Sequence, residues 1–252
     1  MSFAIDLKGK TALITGGTRG IGAAIADIFA QAGANIIITG TNKEGVDSRV
    51  KELSGISKSQ AQGWVADFTD SNALASVCDR IGEVPSLDIL VNNAGTNLIV
   101  PIDEIKAEDL TTILTLNLHA PTLLSGAAAA LMKRTRWGRI LNIASIWSVL
   151  TKPGRAMYTA SKFGLVGLTK TTAADLGPYN ILANALSPGF TLTDLTNATV
   201  PLEEQKQIAQ QVPLRRFAQP KEMAKVALFL CSELNSYITG QNIVVDGGFV
   251  SV

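Results

Sequence analysis

TALITGGTRGIGAAIADIFAQAGANIIITG, residues 11–40, decides the fold. It joins a short apolar run (TALIT, 11–15), a glycine-rich turn, an Ala- and Ile-rich helical run (AAIADIFAQAG, 23–33) and a second apolar run (NIIIT, 35–39). Two strands linked through a helix form a crossover unit, which makes the strands parallel. Neither strand alternates polar with apolar residues, so both faces must be covered. Similar runs recur at GWVAD (63–67), LDILVN (87–92), GRILNIAS (138–145), ILANALSP (181–188) and NIVVDG (242–247). With helical segments between them, they predict one doubly wound, Rossmann-type α/β fold: a parallel sheet of about seven strands with helices on both faces. No linker-like segment or internal repeat divides the chain, so residues 1–252 are expected to form a single domain.

In such sheets ligands bind beyond the carboxyl ends of the strands. Four strand ends carry unusual residues there: TGGTRGIG (15–22), NNAG (92–95), NIAS (142–145) and SPGFTLT (187–193). In the first, Gly16 permits a tight turn, Gly20 lets backbone approach a pyrophosphate, and Gly22 allows close helix packing at a helix N-terminus that favours negative charge. A dinucleotide with a free ribose 2′-hydroxyl calls for an acidic residue about 20 positions later, and residues 34–43 contain none. Thr41 and Asn42 offer hydrogen-bond donors, and Arg19 and Lys43 offer positive charge to a 2′-phosphate. NADP(H) is therefore expected in preference to NAD(H). If Arg19 and Lys43 are merely solvated, that preference stays open.

Tyr158 and Lys162 lie four apart in AMYTASKFG (156–164), on one face of an expected helix. A phenol with its usual pKa near ~10 is a poor acid–base group at neutral pH, and a neighbouring ammonium is expected to lower it. On its own the pair also fits a packed ring beside a solvated lysine.

Composition narrows the function classes. The chain is 46% hydrophobic, with 22 basic and 21 acidic residues, so nothing in its charge points to nucleic acid or an anionic membrane. The N-terminal MSFAIDLKGK has no leader-like apolar core and no run of 18 apolar residues occurs, so a cytoplasmic, non-membrane protein is expected. Cys78 and Cys231 read as reduced, buried, small hydrophobes. A single histidine, His119, argues against a metal site or a histidine-based triad.

TGGTRGIG, NNAG, Ser145, Tyr158-x-x-x-Lys162 and SPG (187–189), in that order and spacing, resemble the short-chain dehydrogenase/reductase family over essentially the whole chain. Within the family the chain looks most like 3-oxoacyl-(acyl carrier protein) reductases. The resemblance implies a catalytic tetrad of Asn117, Ser145, Tyr158 and Lys162. Tyr158 would be the general acid or base, and Ser145 would hold the substrate oxygen. Lys162 would also bond the nicotinamide ribose, and Asn117 would hold a water linking Lys162 to solvent. It further implies a cofactor site from Gly16, Thr18, Arg19, Gly20, Ile21, Gly22, Thr41, Asn42, Lys43, Asn93, Ala94, Gly95, Tyr158, Lys162, Pro188, Gly189, Thr191 and Thr193. Asp67 would meet the adenine, with a helix N-cap as its alternative. Asn92 is read as supporting the sheet.

Trp147, Arg155 and Phe190 are the substrate-side candidates, and residues 193–212 are expected to close over the substrate. A small carbonyl or alcohol substrate and a homotetramer follow from the same resemblance. Two features weaken an acyl-carrier substrate: TNLIVPIDEI follows NNAG without the Arg- and Met-containing pattern of those reductases, and ADLGPYNI lacks one of their two basic carrier contacts, although Arg136 matches the other. Lys152 and Arg155, on the approach to Tyr158, keep an anionic or polyhydroxylated substrate open. A non-catalytic NADP(H) sensor is the reading from another class, and the intact tetrad argues against it.

Overall fold

Alternate residues of the central strands enter two apolar cores, one on each face of the sheet. From β1 (Thr11–Ile14), β2 (Asn35–Gly40) and β4 (Ile89–Asn92), the residues Ala12, Ile14, Ile36, Ile38, Ile89 and Val91 pack on one face. Leu13, Ile37 and Leu90 pack on the other. Each such Ile or Leu, fully withdrawn from water, contributes about 1.5–3 kcal/mol, which explains why these strands show no polar alternation. The computed structural model describes residues 5–56, 60–194, 196 and 200–252.

The remaining strands are β3 (Ala61–Val65), β5 (Gly138–Ile143), β6 (Ile181–Pro188) and β7 (Asn242–Val245). All pairings are parallel, and the order is β3-β2-β1-β4-β5-β6-β7. The chain thus winds outward from β1 in one direction, returns to β1 and winds outward in the other. The crevice at that reversal lies beyond the carboxyl ends of β1 and β4, which is where a doubly wound sheet receives ligands.

The first core is closed by α1 (Gly20–Gln31), through Ile25 and Phe29, and by α8 (Pro220–Leu230), through Met223 and Ala227. The second is closed by α3 (Ser71–Glu83) and α5 (Ala120–Thr135), through Leu74, Val77, Leu124, Ala128 and Met132. Local signals set the helix starts. Asp70 accepts the Asn72 N–H at the head of α3, and Glu222 reaches back to the Gln219 N–H at the head of α8 (2.8 Å each). The other helices are α2 (Lys43–Ile56), α4 (Ala107–Leu114), α6 (Ala156–Leu176) and α7 (Leu202–Gln211). Residues 195 and 197–199 of the expected closing segment lie outside the described residues.

Among the described residues one helical run, Ala107–Thr135, is long and apolar enough to cross a membrane by length and composition, with a mean hydropathy of 1.2. Its buried side chains are spent on the second core. Cys231 is buried, with its thiol pushed up to about 12 by burial, whereas Cys78 is only half-buried; both are free thiols.

Candidate active site

The glycine turn is held against the end of β4 by one hydroxyl. Thr15 Oγ1 accepts the N–H groups of Asn93 and Ala94 (2.9 Å each), and Asn93 Nδ2 donates to the carbonyls of Thr15 (2.9 Å) and Gly16 (3.1 Å). Gly16 adopts φ +62°, which disfavours any side chain. A Cβ on Gly22 would lie 2.3 Å from the Gly16 carbonyl oxygen and 2.4 Å from Asn93 Nδ2. The head of α1 has no side-chain cap and no acidic residue in its first turn, so its backbone N–H groups are left for an anion. This cradle fits a dinucleotide pyrophosphate.

A cleft of about 590 Å³ runs from this turn across the ends of β2, β3 and β4. Gly16, Thr18, Arg19, Thr41, Asn42, Asp67, Asn93, Ala94 and Gly95, all expected at the cofactor, line it. Lys43, also expected there, is not among its lining residues. It begins α2, and its ammonium pairs with Asp47 one turn on at 2.6 Å. Asn42 Oδ1 accepts the Gly45 N–H (2.8 Å) and so caps α2, leaving its Nδ2 for a ligand. Asp67 does not cap α3, a role taken by Asp70. It accepts from Thr69 N and Oγ1 (2.9 and 2.7 Å) and sits exposed at the cleft wall.

At the far end of the cleft the four tetrad residues converge from three elements. Tyr158 and Lys162 stand one turn apart on α6, the Lys162 Nζ 5.5 Å from the Tyr158 ring centroid. Nζ donates to the Ile143 carbonyl at 2.9 Å, where β5 ends. Ser145, two residues on, lies near enough to the Tyr158 hydroxyl to act on its pKa, and its Oγ accepts the Trp147 N–H at 3.3 Å. Asn117 lies in a π turn, Thr115–His119, that widens the helix between α4 and α5. Its Oδ1 accepts the Thr96 N–H (2.9 Å), and its Nδ2 donates to the Thr96 carbonyl (2.9 Å) and Ser161 Oγ (3.0 Å). A Cβ on Gly95, which lines the cleft, would lie 3.1 Å from Asn117 Oδ1 and 3.6 Å from Lys162 Nζ, so two of the tetrad residues stand directly behind the cleft wall at Gly95.

Known proteins resemble this chain over nearly its whole length. A family model described as enoyl-(acyl carrier protein) reductase matches residues 16–250. The 3-oxoacyl-[acyl-carrier-protein] reductase FabG of Aquifex aeolicus is 40% identical over 97% of this chain and 98% of its own. The chain belongs to the short-chain dehydrogenase/reductase family. Among solved structures, a gluconate 5-dehydrogenase from Burkholderia cenocepacia in complex with NADP and tartrate superposes with a TM-score of 0.92 at 33% identity, covering 99% of this chain and 98% of that one. A protein from Beutenbergia cavernae assigned as an NAD(P)-dependent gluconate 5-dehydrogenase, with bound NADP at low occupancy, superposes with a TM-score of 0.94 at 35% identity over 99% and 100% of the two chains. This short-chain dehydrogenase/reductase is accordingly an NAD(P)-dependent oxidoreductase.

The electrostatics depart from the sequence expectation for the tyrosine. Tyr158 is held above the usual phenol value, because burial outweighs the nearby Ser145 hydroxyl and the Arg155 charge that act to lower it. Lys162, expected to lower it, is engaged with Ile143 instead. Burial brings Lys162 itself down to about 8 from its ordinary 10.5. Between these values the unfolded chain binds a proton that the folded cofactor-free protein does not, so stability from this group rises with pH across that window. Lys162→Met should therefore make the cofactor-free protein more stable at pH 7, by about 3 kcal/mol at most. In urea titrations of both proteins the gap should narrow between about pH 8 and 10.5. A gap that is constant over that range contradicts a depressed Lys162.

Three further placements differ from expectation. Phe190, expected on the substrate side, has its ring engaged within the protein: it stacks on Phe217 (5.3 Å between centroids) and meets Phe249 edge-on (5.1 Å). Both amide hydrogens of Asn117 are used within the protein, so the expected water would have only an Oδ1 lone pair of that side chain. Thr193, expected at the cofactor through its hydroxyl, bonds Thr196 Oγ1 at 3.0 Å, although it borders the glycine turn, 3.5 Å from where a Cβ on Gly20 would lie. Thr191 is buried, with its hydroxyl on the Gly189 carbonyl (3.1 Å) just beyond Pro188; its own carbonyl accepts the Thr193 N–H (2.9 Å) and the Thr196 hydroxyl (2.8 Å), so among the described residues only its backbone N–H is left for a ligand. Asn92 is buried in the sheet, donating to Asn142 and Ser125.

The sequence reading missed Thr15 and Ser161. Thr15 pins NNAG to the glycine turn, and Ser161 joins Asn117 to the Tyr158 carbonyl (2.7 Å). Both lie inside motifs already singled out, TGGTRGIG and YTASK, which was the available signal.

Proposed function

We propose that this protein interconverts a ketone and a secondary alcohol with NADP(H), using Tyr158 as general acid in reduction and general base in oxidation. The observation that carries this reading is the gathering of Ser145, Tyr158 and Lys162 behind Gly95, a cleft residue where a Cβ would meet Asn117 Oδ1 and Lys162 Nζ. The cofactor, when bound, supplies or accepts the hydride. Ser145 orients the substrate oxygen and stabilises the charge that grows on it. Tyr158, a phenol and therefore protonated at neutral pH, gives its proton to that oxygen. Lys162 offers its ammonium to the ribose and, as a nearby cation, stabilises the phenolate left when the proton has gone.

The chain 1–252 acts as one catalytic domain in the cytoplasm. A small carbonyl or acyl compound is the first substrate class, as the FabG similarity supports; a sugar-like hydroxy acid is the second, favoured by the gluconate dehydrogenases among the structural relatives. NADP(H) is preferred because Arg19, Thr41 and Asn42 line the adenosine end and no acidic residue stands at the end of β2. Asn42→Asp should shift the ratio of NADPH to NADH affinity toward NADH by about tenfold or more, through repulsion of the 2′-phosphate. Fluorescence titration of both cofactors, with loss of reduced-nicotinamide absorbance over a ketone panel, tests the reading. Tight NADPH binding without oxidation would favour a sensor, and equal affinities in the unmodified protein would remove the NADP preference.

Homotetramer formation is part of the same proposal. Leu110 and Leu123 on α4 and α5, Phe163 on α6 and Tyr237 beside the edge strand β7 are exposed, the last at 96%. Such faces suit two-fold symmetric pairing. Light scattering at micromolar concentration should give four chains, and a monomer would contradict it.

A further inference from the structure

A guanidinium with no counter-charge stands beside the proton donor. Arg155 precedes α6 by one residue, and its guanidinium carbon lies 5.4 Å from the centroid of the Trp147 ring, two residues beyond Ser145. Lys152 Nζ stands 5.6 Å from the same ring. Among the described residues neither cation lies within ion-pair distance of a carboxylate. The Arg155 Nε is buried and makes no hydrogen bond. Burial lowers the Arg155 pKa while the nearby Tyr158 acts to raise it, so its charge is felt at the reacting end of the site.

The loop bearing Arg155 is fixed. Thr151 Oγ1 bonds Thr159 Oγ1 at 3.0 Å, the Thr159 N–H donates to the Arg155 carbonyl at 2.7 Å, and the Val100 N–H donates to the Gly154 carbonyl at 3.0 Å. That last bond joins the loop to the segment after NNAG, where Asn97 Oδ1 is also buried without a partner. Two unsatisfied polar atoms, one donor and one acceptor, thus lie on two adjoining loops at the active site. Each is costly to leave unpaired, about 1–3 kcal/mol, so each calls for a partner supplied by ordered water or by a ligand.

We propose that Arg155 determines specificity by binding a carboxylate of the substrate, with Lys152 reinforcing the charge at the rim and Asn97 taking a neighbouring substrate hydroxyl. The substrate class is then an oxo acid and its hydroxy acid rather than an uncharged acyl ester. Arginine suits this task, since its planar fork meets both carboxylate oxygens. The inference rests on the oxidoreductase reading for its turnover test, and a binding test separates the two.

The test pairs 3-oxobutanoate and 5-oxohexanoate with their methyl esters as NADPH-dependent substrates, and 3-hydroxybutanoate and 5-hydroxyhexanoate with their methyl esters in calorimetric titration of the protein–NADP⁺ complex. The acids should be favoured over the esters in kcat/KM and in Kd. Arg155→Gln should shrink that preference by about 10- to 100-fold, the range of a charge-assisted hydrogen bond, mainly through KM. Arg155→Lys should restore part of it, and the exposed Lys152→Gln should reduce it less. Equal handling of acid and ester, or a preference that survives Arg155→Gln, overturns the proposal. If no ketone is reduced, the turnover reading fails, and calorimetry alone decides: acid binding that depends on Arg155 supports the carboxylate site, and its absence overturns it.

Discussion

Replacing Tyr158 by phenylalanine should lower turnover by about 10²-fold or more while NADPH still binds. The ring keeps its packing on α6 beside Lys162, so the variant removes little but the hydroxyl and its transferable proton. The loss should fall on kcat and kcat/KM alike, because the proton is needed in the transition state and not for binding. Ser145→Ala should share this pattern. Paired steady-state kinetics and NADPH titration provide the check, and near-normal turnover by Tyr158→Phe would return the phenol to a packing role.

Gly22→Ala should cost the protein its cofactor. The added methyl would sit 2.3 Å from the Gly16 carbonyl oxygen and 2.4 Å from Asn93 Nδ2, and neither can withdraw without moving the turn or releasing the end of β4. Displacing the turn removes at least two backbone hydrogen bonds to a charged ligand, each worth about 1.5–3 kcal/mol, so NADPH affinity should fall by about 10²-fold or more. Overpacking should lower stability by about 1–3 kcal/mol as well. Gly82→Ala, near the end of α3 where a Cβ meets nothing within 4 Å, should leave both properties intact or raise stability slightly. Calorimetric titration and thermal melts of the two variants check the contrast; equal behaviour would mean that the glycine turn tolerates a side chain and does not approach a pyrophosphate closely.

The β1–α1–β2 unit was legible because burial on both faces erases polar alternation, leaving Leu13 beside Ile14 and Ile36, Ile37 and Ile38 in a row. Strand ends were less legible. The run read as 63–67 forms β3 two residues earlier, Ala61–Val65, because its partner β2 sets the register, Ile36 opposite Ala61. The tetrad was legible as spacing, since Tyr158 and Lys162 share a helix face and Ser145 follows a strand. What spacing does not carry is environment. The raised phenol depends on what encloses it, and Arg155, three residues before it, rather than Lys162, four after it, supplies the opposing charge. The place of Phe190 in SPGFTLT did not reveal that Phe217 and Phe249, distant in sequence, pack against its ring. The Lys43–Asp47 pair, by contrast, was a readable one-turn spacing on α2 that competes with any 2′-phosphate.

Hydride transfer itself is open to direct measurement. NADPH carrying deuterium on one face of the nicotinamide C4 is incubated with the protein and the oxo acids and esters above, and the alcohol formed is examined by mass spectrometry and NMR. The expected result is one deuterium on the carbinol carbon from one C4 epimer and none from the other, with Tyr158→Phe slowing its appearance about 10²-fold or more. Alcohol formed without label from either epimer, or NADPH bound tightly and never consumed, would contradict an oxidoreductase working through this tetrad.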